Sequence, residues 1–428
     1  MEKNIIKVLW FTNIPLPGMQ SLDPKLHKGT GSWMLALLEA LSKNREIRLA
    51  VACVYPGLPK QKLEVDGVSY FCMPQGQVRR LFHFVDRDDD PSLVDWCVQV
   101  IQEWQPDVIH IHGTERFYGL LTACKGVNVP SVVSIQGILT EYCKWRYTFG
   151  ELSISDVIAM HNPLRVIRGI GPLWDYRQIL ITARRERKIV RINKYFMGRT
   201  EWDLAQLRAL NPSARYYHVN EMLRPEFITL KQWDLNTCRR HSIIFTNARI
   251  PRKGVDILFK AVALLKIRFL DVSIKLAGVD GFIGEYGKYL RRVAEREGIY
   301  NNVEFLGDIN AEKMVSALSS SHVFVLSSLI ENSPNSLCEA QAVGLPCVAT
   351  YTGGVPSLIS DKETGFMIPI GDASMMADRI AKIFENDSLS VQMSTRARHI
   401  ALTRHDPDTI VGRHLAVYRD VINLYNKN

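Results

Sequence analysis

Two glutamates separated by seven residues, Glu331 and Glu339, carry the first sign of chemistry in this chain. Between them lies Ser333-Pro334, a polar residue suited to cap a helix and a proline suited to its first turn. The amides of Asn335 and Ser336 would then point out of a helix start, where they favour an anion. A carboxylate on each side could accept hydrogen bonds from ligand hydroxyls. Such an arrangement suits a phosphorylated sugar. Taken alone, two glutamates are more often solvated surface charges, so their surroundings decide the reading.

A basic loop, Arg249-Ile-Pro-Arg-Lys253-Gly254, precedes them. Arg249 could grip a diphosphate through two parallel hydrogen bonds, and Lys253 would add a compact positive charge. Arg252 is an alternative to either. Gly278 ends another expected strand, at a turn where a nucleoside could lie against backbone. Farther upstream, Asp107 to Glu115 reads as a buried strand ending in His112 and Glu115, with His110 and His112 on one face. Two histidines at that spacing could begin a metal site, but no third ligand of suitable spacing is nearby. Gly29 and Gly31 form a turn between strand and helix that lets backbone approach a ligand. No G-x-G-x-x-G is present, which counts against a dinucleotide cofactor. Asp86-Arg-Asp-Asp-Asp90 invites a divalent-cation reading. Pro91 follows at once, however, and Ser92 to Trp104 looks helical, so these acids are expected to cap and charge a helix start.

The elements that must hold these groups alternate in type. An apolar strand, His322 to Ser327, enters the loop of Glu331. A helix from about Pro334 to Val343 stops at Gly344-Leu-Pro346, and a strand from Pro346 to Thr350 completes a βαβ unit. A parallel sheet is implied, and Glu331 sits at the carboxyl end of a strand, where open α/β sheets bind ligands. The same rhythm gives strand Ser242 to Asn247, helix Val255 to Lys266, and strands Val272 to Gly278 and Val303 to Gly307. In the first half it gives strand Ile5 to Phe11, helix Ser32 to Ser42, and strands Arg48 to Tyr55, Val68 to Met73 and Val129 to Gln136. Arg224 to Arg240 lacks periodicity and reads as a linker. Asp408 to Tyr425 reads as an amphipathic terminal helix.

The string from Ser327 to Gly354 resembles the E-x7-E signature of the family 4 retaining glycosyltransferases, which have GT-B architecture. It carries Glu331, Pro334, Glu339, Ala340, Ala342, Gly344, Pro346, Val348, Ala349, Gly353 and Gly354, with Pro356 just beyond. It departs at Asn332, Cys347 and Ser357, and keeps both carboxylates of the E-x7-E pair. The resemblance is strongest from Ser242 to Pro369. It implies an α/β fold of two Rossmann-like domains facing each other across a cleft: 1–222 on the acceptor side and 223–405 on the nucleotide-sugar side. A terminal helix, 406–428, would return to the first domain. It also implies roles. Arg249 and Lys253 would hold the donor diphosphate in place of a metal, so neither a metal nor a cofactor is expected beyond the nucleotide-sugar co-substrate. Glu331 would bind sugar hydroxyls and Glu339 the ribose. Gly29, Gly31, Gly278, Ser333, Asn335 and Ser336 would line the donor, with His112 near its reactive carbon and Glu115 towards the acceptor. Glu331 is not assigned as a nucleophile, because front-face attack needs none and the glycosidase carboxylate pair is a different geometry.

The 428 residues suffice for two or three domains, and 46% apolar with 23% charged content is ordinary for a globular protein. No stretch approaches 18 uninterrupted apolar residues, and the start reads as a strand entering a loop, not a signal peptide. Eight scattered cysteines without CxxC spacing are expected to be free buried thiols in the cytoplasm. The net charge of +9 is concentrated, with ten basic residues against two acidic between His161 and Thr200. There Trp174, Arg184, Arg185, Arg187 and Lys188 could meet an acceptor or dock peripherally on an anionic membrane. A solvated basic helix with a core-facing stripe is the plainer reading. No nucleic-acid module surrounds the patch, so no nucleic-acid partner is expected.

The expectation is therefore a retaining transferase moving a sugar from a nucleotide donor, UDP-linked in preference to GDP-linked. The acceptor would be a hydroxyl of a glycan or lipid-linked molecule, in surface polysaccharide or glycolipid synthesis. The alternative is a catalytically silent GT-B scaffold that binds a polymer or partner. An epimerase or phosphorylase on the same fold would lack this E-x7-E string.

Overall fold

Short apolar runs separated by helices assemble into two parallel sheets. The computed structural model describes residues 5–19, 22, 32–75, 90–160 and 171–427. The chain divides into two units, one of Met1–Cys143, Pro163–Met222 and Asp406–Asn428, the other of Lys144–Asn162 and Leu223–His405. The sequence grouped 1–222 together, whereas Lys144–Asn162 falls with the second unit. Gly29, Gly31 and Asp86 to Asp89 lie outside the described residues. Asp90 is described, and its side chain accepts from the Ser92 amide as the cap of the following helix.

The first unit holds an eight-stranded sheet of β1 (Ile6–Thr12), β2 (Ile47–Tyr55), β3 (Gln61–Val65), β4 (Val68–Pro74), β5 (Val108–His112), β6 (Ser131–Ser134), β7 (Tyr195–Gly198) and β8 (Arg215–His218). Their order is β3-β4-β2-β1-β5-β6-β7-β8. All neighbours are parallel except the β3–β4 edge hairpin, which the sequence reading passed over. Its two-residue turn, Asp66-Gly67, takes positive φ at both positions, the conformation for which Asp-Gly is suited. Helices α1 (Ser32–Ser42), α2 (Pro91–Trp104), α3 (Pro172–Ile192) and α4 (Glu201–Leu210) connect the strands, and a C-terminal helix, Pro407–Asn426, belongs to the same unit. Along β1, Val8 and Trp10 enter one apolar cluster while Leu9 and Phe11 enter another. Both faces are thus buried, as parallel sheets require. Ile410, Leu415, Tyr418 and Val421 of the C-terminal helix lie in the cluster of Val8 and Trp10.

The second unit holds a six-stranded parallel sheet of β9 (Ser242–Thr246), β10 (Ser273–Ala277), β11 (Val303–Gly307), β12 (Val323–Leu326), β13 (Cys347–Thr350) and β14 (Phe366–Ile368). The order is β11-β10-β9-β12-β13-β14. Helices α5 (Val255–Lys266), α6 (Gly284–Arg296), α7 (Ala311–Ser319), α8 (Asn335–Val343), α9 (Ala373–Glu385) and α10 (Asp387–Arg404) flank it. Its core also splits by strand alternation, with Val323 and Val325 on one side and Phe324 on the other.

Among the parallel strands of each sheet the order reverses direction once. In the first unit this happens between β1 and β5, in the second between β9 and β12. Loops at the carboxyl ends diverge at such a point and leave room for a ligand.

Candidate functional site

Both loops that part at the reversal in the second unit carry predicted residues. The β9 loop brings Arg249 and Lys253, and the β12 loop brings Glu331. Lys253 Nζ forms an ion pair with Glu331 Oε1, and the Ser328 hydroxyl donates to the same oxygen at 2.8 Å. Burial pushes the Glu331 carboxyl up, but Lys253, Arg252 and the hydrogen bonds from Lys253 and Ser328 pull harder. It lies below the ordinary glutamate range. Arg249 does not join them: it pairs at 2.8 Å with Asp308, just beyond β11, and is half exposed.

The Glu331 loop is fastened by residues to which the sequence reading gave no role. Thr350 and Thr352 donate through their hydroxyls to the Ser328 and Leu329 carbonyls at 2.5 and 2.7 Å, and the Gly354 amide donates to the Glu331 carbonyl at 3.0 Å. Gly353 takes φ +47°, and a Cβ there would run into that same carbonyl oxygen. Gly254 has φ +71°, and a Cβ would meet the Ser327 carbonyl. The glycines of both loops thus permit close backbone approach.

The helix after Glu331 starts one residue later than expected. Pro334, with φ −71° and ψ 112°, is the cap residue and α8 begins at Asn335. Ser333 therefore lies outside the helix and does not cap it. The Asn335 side chain has a buried Oδ1 with no hydrogen-bond partner, beside the free amides of the helix start. Glu339, one turn on, pairs with Arg224 at 2.9 Å. Burial raises its carboxyl and Arg224 opposes the rise, with the net effect upwards. Arg224 lay in the segment read as linker, and its lack of periodicity gave no signal. Gly278 holds the turn after β10 with φ +88°, its amide donating to the Gly307 carbonyl at 2.8 Å.

In the first unit, His112 ends β5 and is buried. It stacks on His110 with ring centres 3.9 Å apart, and meets Trp10 at a tilt with ring centres 4.3 Å apart. Its Nε2 has no hydrogen-bond partner. Burial, then His414 and Arg199, holds it well below the usual histidine range, so it is neutral. A cavity of about 30 Å³, room for about one water, is lined by His112, Gln136, Arg199, Glu221 and His414 among others. Arg199 and Glu221 form a buried pair at 2.7 Å that sequence spacing did not suggest.

Glu115 follows at the same reversal point and accepts from Asn13, in the loop after β1, at 2.6 Å. Burial first, then the nearby Glu186 carboxylate, raises Glu115 from 4.5 to about 7. Arg185, expected on an acceptor or membrane surface, is instead buried and donates to the Glu115 carbonyl. Its neighbour Glu186 accepts from Thr114, Leu139 and Thr140. Arg184, Arg187 and Lys188 of α3 are exposed, while Trp174 is half-buried. With Arg191 the three exposed cations fall at i, i+3, i+4 and i+7, one stripe of the helix. Among the described residues no helix is long and apolar enough to cross a membrane. No cluster of three or more His, Cys, Asp or Glu suited to a metal occurs there either.

Residues 234–400 match the family described as glycosyl transferases group 1. A 2-deoxystreptamine N-acetyl-D-glucosaminyltransferase from Niallia circulans is 21% identical over 87% of this chain and 90% of its own length. Matches to further curated relatives span about half of their length or less. A sucrose-phosphate synthase structure from Thermosynechococcus elongatus superposes with TM-score 0.72 at 14% identity, covering 98% of this chain and 100% of that one. The Anabaena protein HepE, solved in complex with UDP-glucose, gives 0.67 at 15% identity, covering 99% and 100%. These likenesses bear out the GT-B fold and the family resemblance carried by the Glu331 to Gly354 string.

Proposed function

We propose that this chain, a GT-B glycosyltransferase with a group 1 domain over residues 234–400, moves a sugar from a UDP-linked donor to a hydroxyl of a glycan or lipid-linked acceptor. The transfer retains anomeric configuration and needs no metal, and it serves surface polysaccharide or glycolipid synthesis. The observation that carries this reading is the buried Lys253–Glu331 pair at the strand-order reversal of the second unit. A lysine so placed neutralises charge on a leaving diphosphate, and the α8 amides at Asn335 and Ser336 add to it. Glu331, ionised, accepts hydrogen bonds from sugar hydroxyls, and Glu339 reads the ribose. Arg249, half exposed and paired with Asp308, reaches the diphosphate by exchanging one anion for another. His112, neutral, offers its unpartnered Nε2 to the sugar near the reactive carbon. The exposed stripe of Arg184, Arg187 and Lys188 suits an anionic membrane surface or the phosphate of a lipid-linked acceptor.

The test is nucleotide release from UDP-, GDP- and ADP-sugars in the presence of EDTA, by the protein and by Glu331→Ala. Slow release from the UDP-sugar alone, lost in the variant, supports the reading. Release that needs a divalent cation overturns the metal-free part. Absence of both binding and release across the panel overturns the activity.

A further inference from the structure

His110 plays no part in the reading above, yet it is the better anchored of the two histidines on β5. Both of its ring nitrogens are engaged: Nδ1 with the Tyr418 hydroxyl at 2.7 Å and Nε2 with the Ser134 hydroxyl at 2.7 Å. Tyr418 comes from the C-terminal helix, and the Trp10 indole reaches its oxygen at 3.4 Å. An indole N–H can only donate, so the Tyr418 oxygen accepts from Trp10 and its own proton is free to go to His110 Nδ1. That leaves the His110 proton on Nε2, donated to Ser134, whose hydroxyl lies 3.8 Å from the Met197 sulfur. The opposite arrangement would strand the Tyr418 proton in a buried site without an acceptor, which is costly. One hydrogen-bond chain, running from Trp10 through Tyr418 and His110 to Ser134, therefore fixes both the plane and the tautomer of His110.

His112 has no such anchor. Among the described residues its ring stacks on His110 at 3.9 Å with planes 29° apart and meets Trp10 at a tilt, at 4.3 Å with planes 59° apart. The orientation of its unpartnered Nε2 is set by the plate it stacks on.

We propose that Tyr418 is a positioning residue for His112, acting through His110, so that the C-terminal helix sets the aim of the group that holds the donor sugar. This rests on the sugar-holding reading of His112. Removing the Tyr418 hydroxyl leaves the aromatic ring to fill its place in the core but frees His110 to exchange tautomers and tilt. Displacement of a contacting group by a fraction of an ångström acts on the transition state more than on ground-state binding.

The experiment compares Tyr418→Phe, Ser134→Ala and His112→Ala with the parent chain. It measures steady-state donor turnover and the imidazole ¹⁵N shifts of histidine-labelled protein. Expected are a kcat about tenfold lower in Tyr418→Phe with the donor KM changed by less than about twofold, and a smaller fall in Ser134→Ala. His110 shows a single Nε2-protonated form in the parent and an averaged pair of shifts in Tyr418→Phe. A purely structural role for the tyrosine would lower the melting temperature without splitting kcat from KM. Full activity in Tyr418→Phe together with an inactive His112→Ala overturns the positioning role and leaves the reading of His112 standing. Full activity in His112→Ala overturns that reading, and the positioning role with it. Should Tyr418→Phe fail to fold, Ser134→Ala breaks the same chain at its other end, and an undiminished kcat there overturns the proposal.

Discussion

Lys253 and Glu331 stand 78 residues apart and meet as an ion pair whose side chains are only 11% and 8% exposed. Neither charge could be held there alone, because an unpaired buried ion costs several kcal/mol. Lys253→Met therefore destabilises the second unit by about 3–5 kcal/mol, since Glu331 is left in place without its cation. Lys253→Met with Glu331→Leu recovers much of that loss but not nucleotide release. Urea unfolding of the two single variants and the double gives the coupling directly. Additive losses would show that the pair does not act as a unit.

The same pair predicts an acid limb. The folded-state pKa of Glu331 lies below its ordinary 4.5, so the unfolded state binds the extra proton as pH falls through that window. The stabilisation is complete above about pH 4.5 and is lost as pH drops through the folded value. Glu331→Gln flattens that part of the stability profile below about pH 4.5, measured as urea midpoint against pH.

Glu115 predicts the opposite slope at higher pH. Its pKa is raised from 4.5 to about 7 by burial and by Glu186. Between those values the folded state binds the extra proton, so stability declines as pH rises through the window, by up to about 3 kcal/mol. Glu115→Gln removes this decline. Melting temperatures at pH 5.5 and 8 check it, and an undiminished difference in the variant would sink the assignment.

Much of the second unit was legible because its loops obey local rules. Val255 to Lys266 is the helix expected, and Gly344 ends α8 in the left-handed conformation at φ +88°. The helix start slipped by one residue because Pro334 is extended and takes the cap position itself. The partners of the site residues were not legible. Arg224 meets Glu339 across 115 residues of sequence, and Tyr418 meets His110 across 308, distances at which no periodicity speaks. Arg185 was misplaced for a related reason. Its charge suggested surface, but a carbonyl at the turn after β5 gives the guanidinium a buried acceptor.

Gly353 tests how tightly the Glu331 backbone is held. Alanine there would adopt φ +47° and press its Cβ on the Glu331 carbonyl. Gly353→Ala should cost about 2 kcal/mol or more and weaken donor binding, because the loop must move to relieve the contact. Gly412→Ala, in the C-terminal helix with nothing within 4 Å of the new Cβ, is the control and should be neutral or slightly stabilising. Equal unfolding midpoints for the two variants would contradict the close approach.

Arg224 offers a test of the proposal that Glu339 reads the ribose. A carboxylate accepts from both hydroxyls of a diol only when ionised, yet burial raises the Glu339 pKa and Arg224 is what opposes the rise. Replacing Arg224 by methionine removes that opposition and lets the pKa climb further. UDP affinity should then fall, and fall more at pH 6 than at pH 8, because a raised pKa leaves more of the carboxyl protonated at the lower pH. Titration calorimetry at the two pH values separates this from simple loss of packing over Phe227, on which the guanidinium also stacks at 4.6 Å. A packing defect weakens binding equally at both pH values, whereas control of a proton does not.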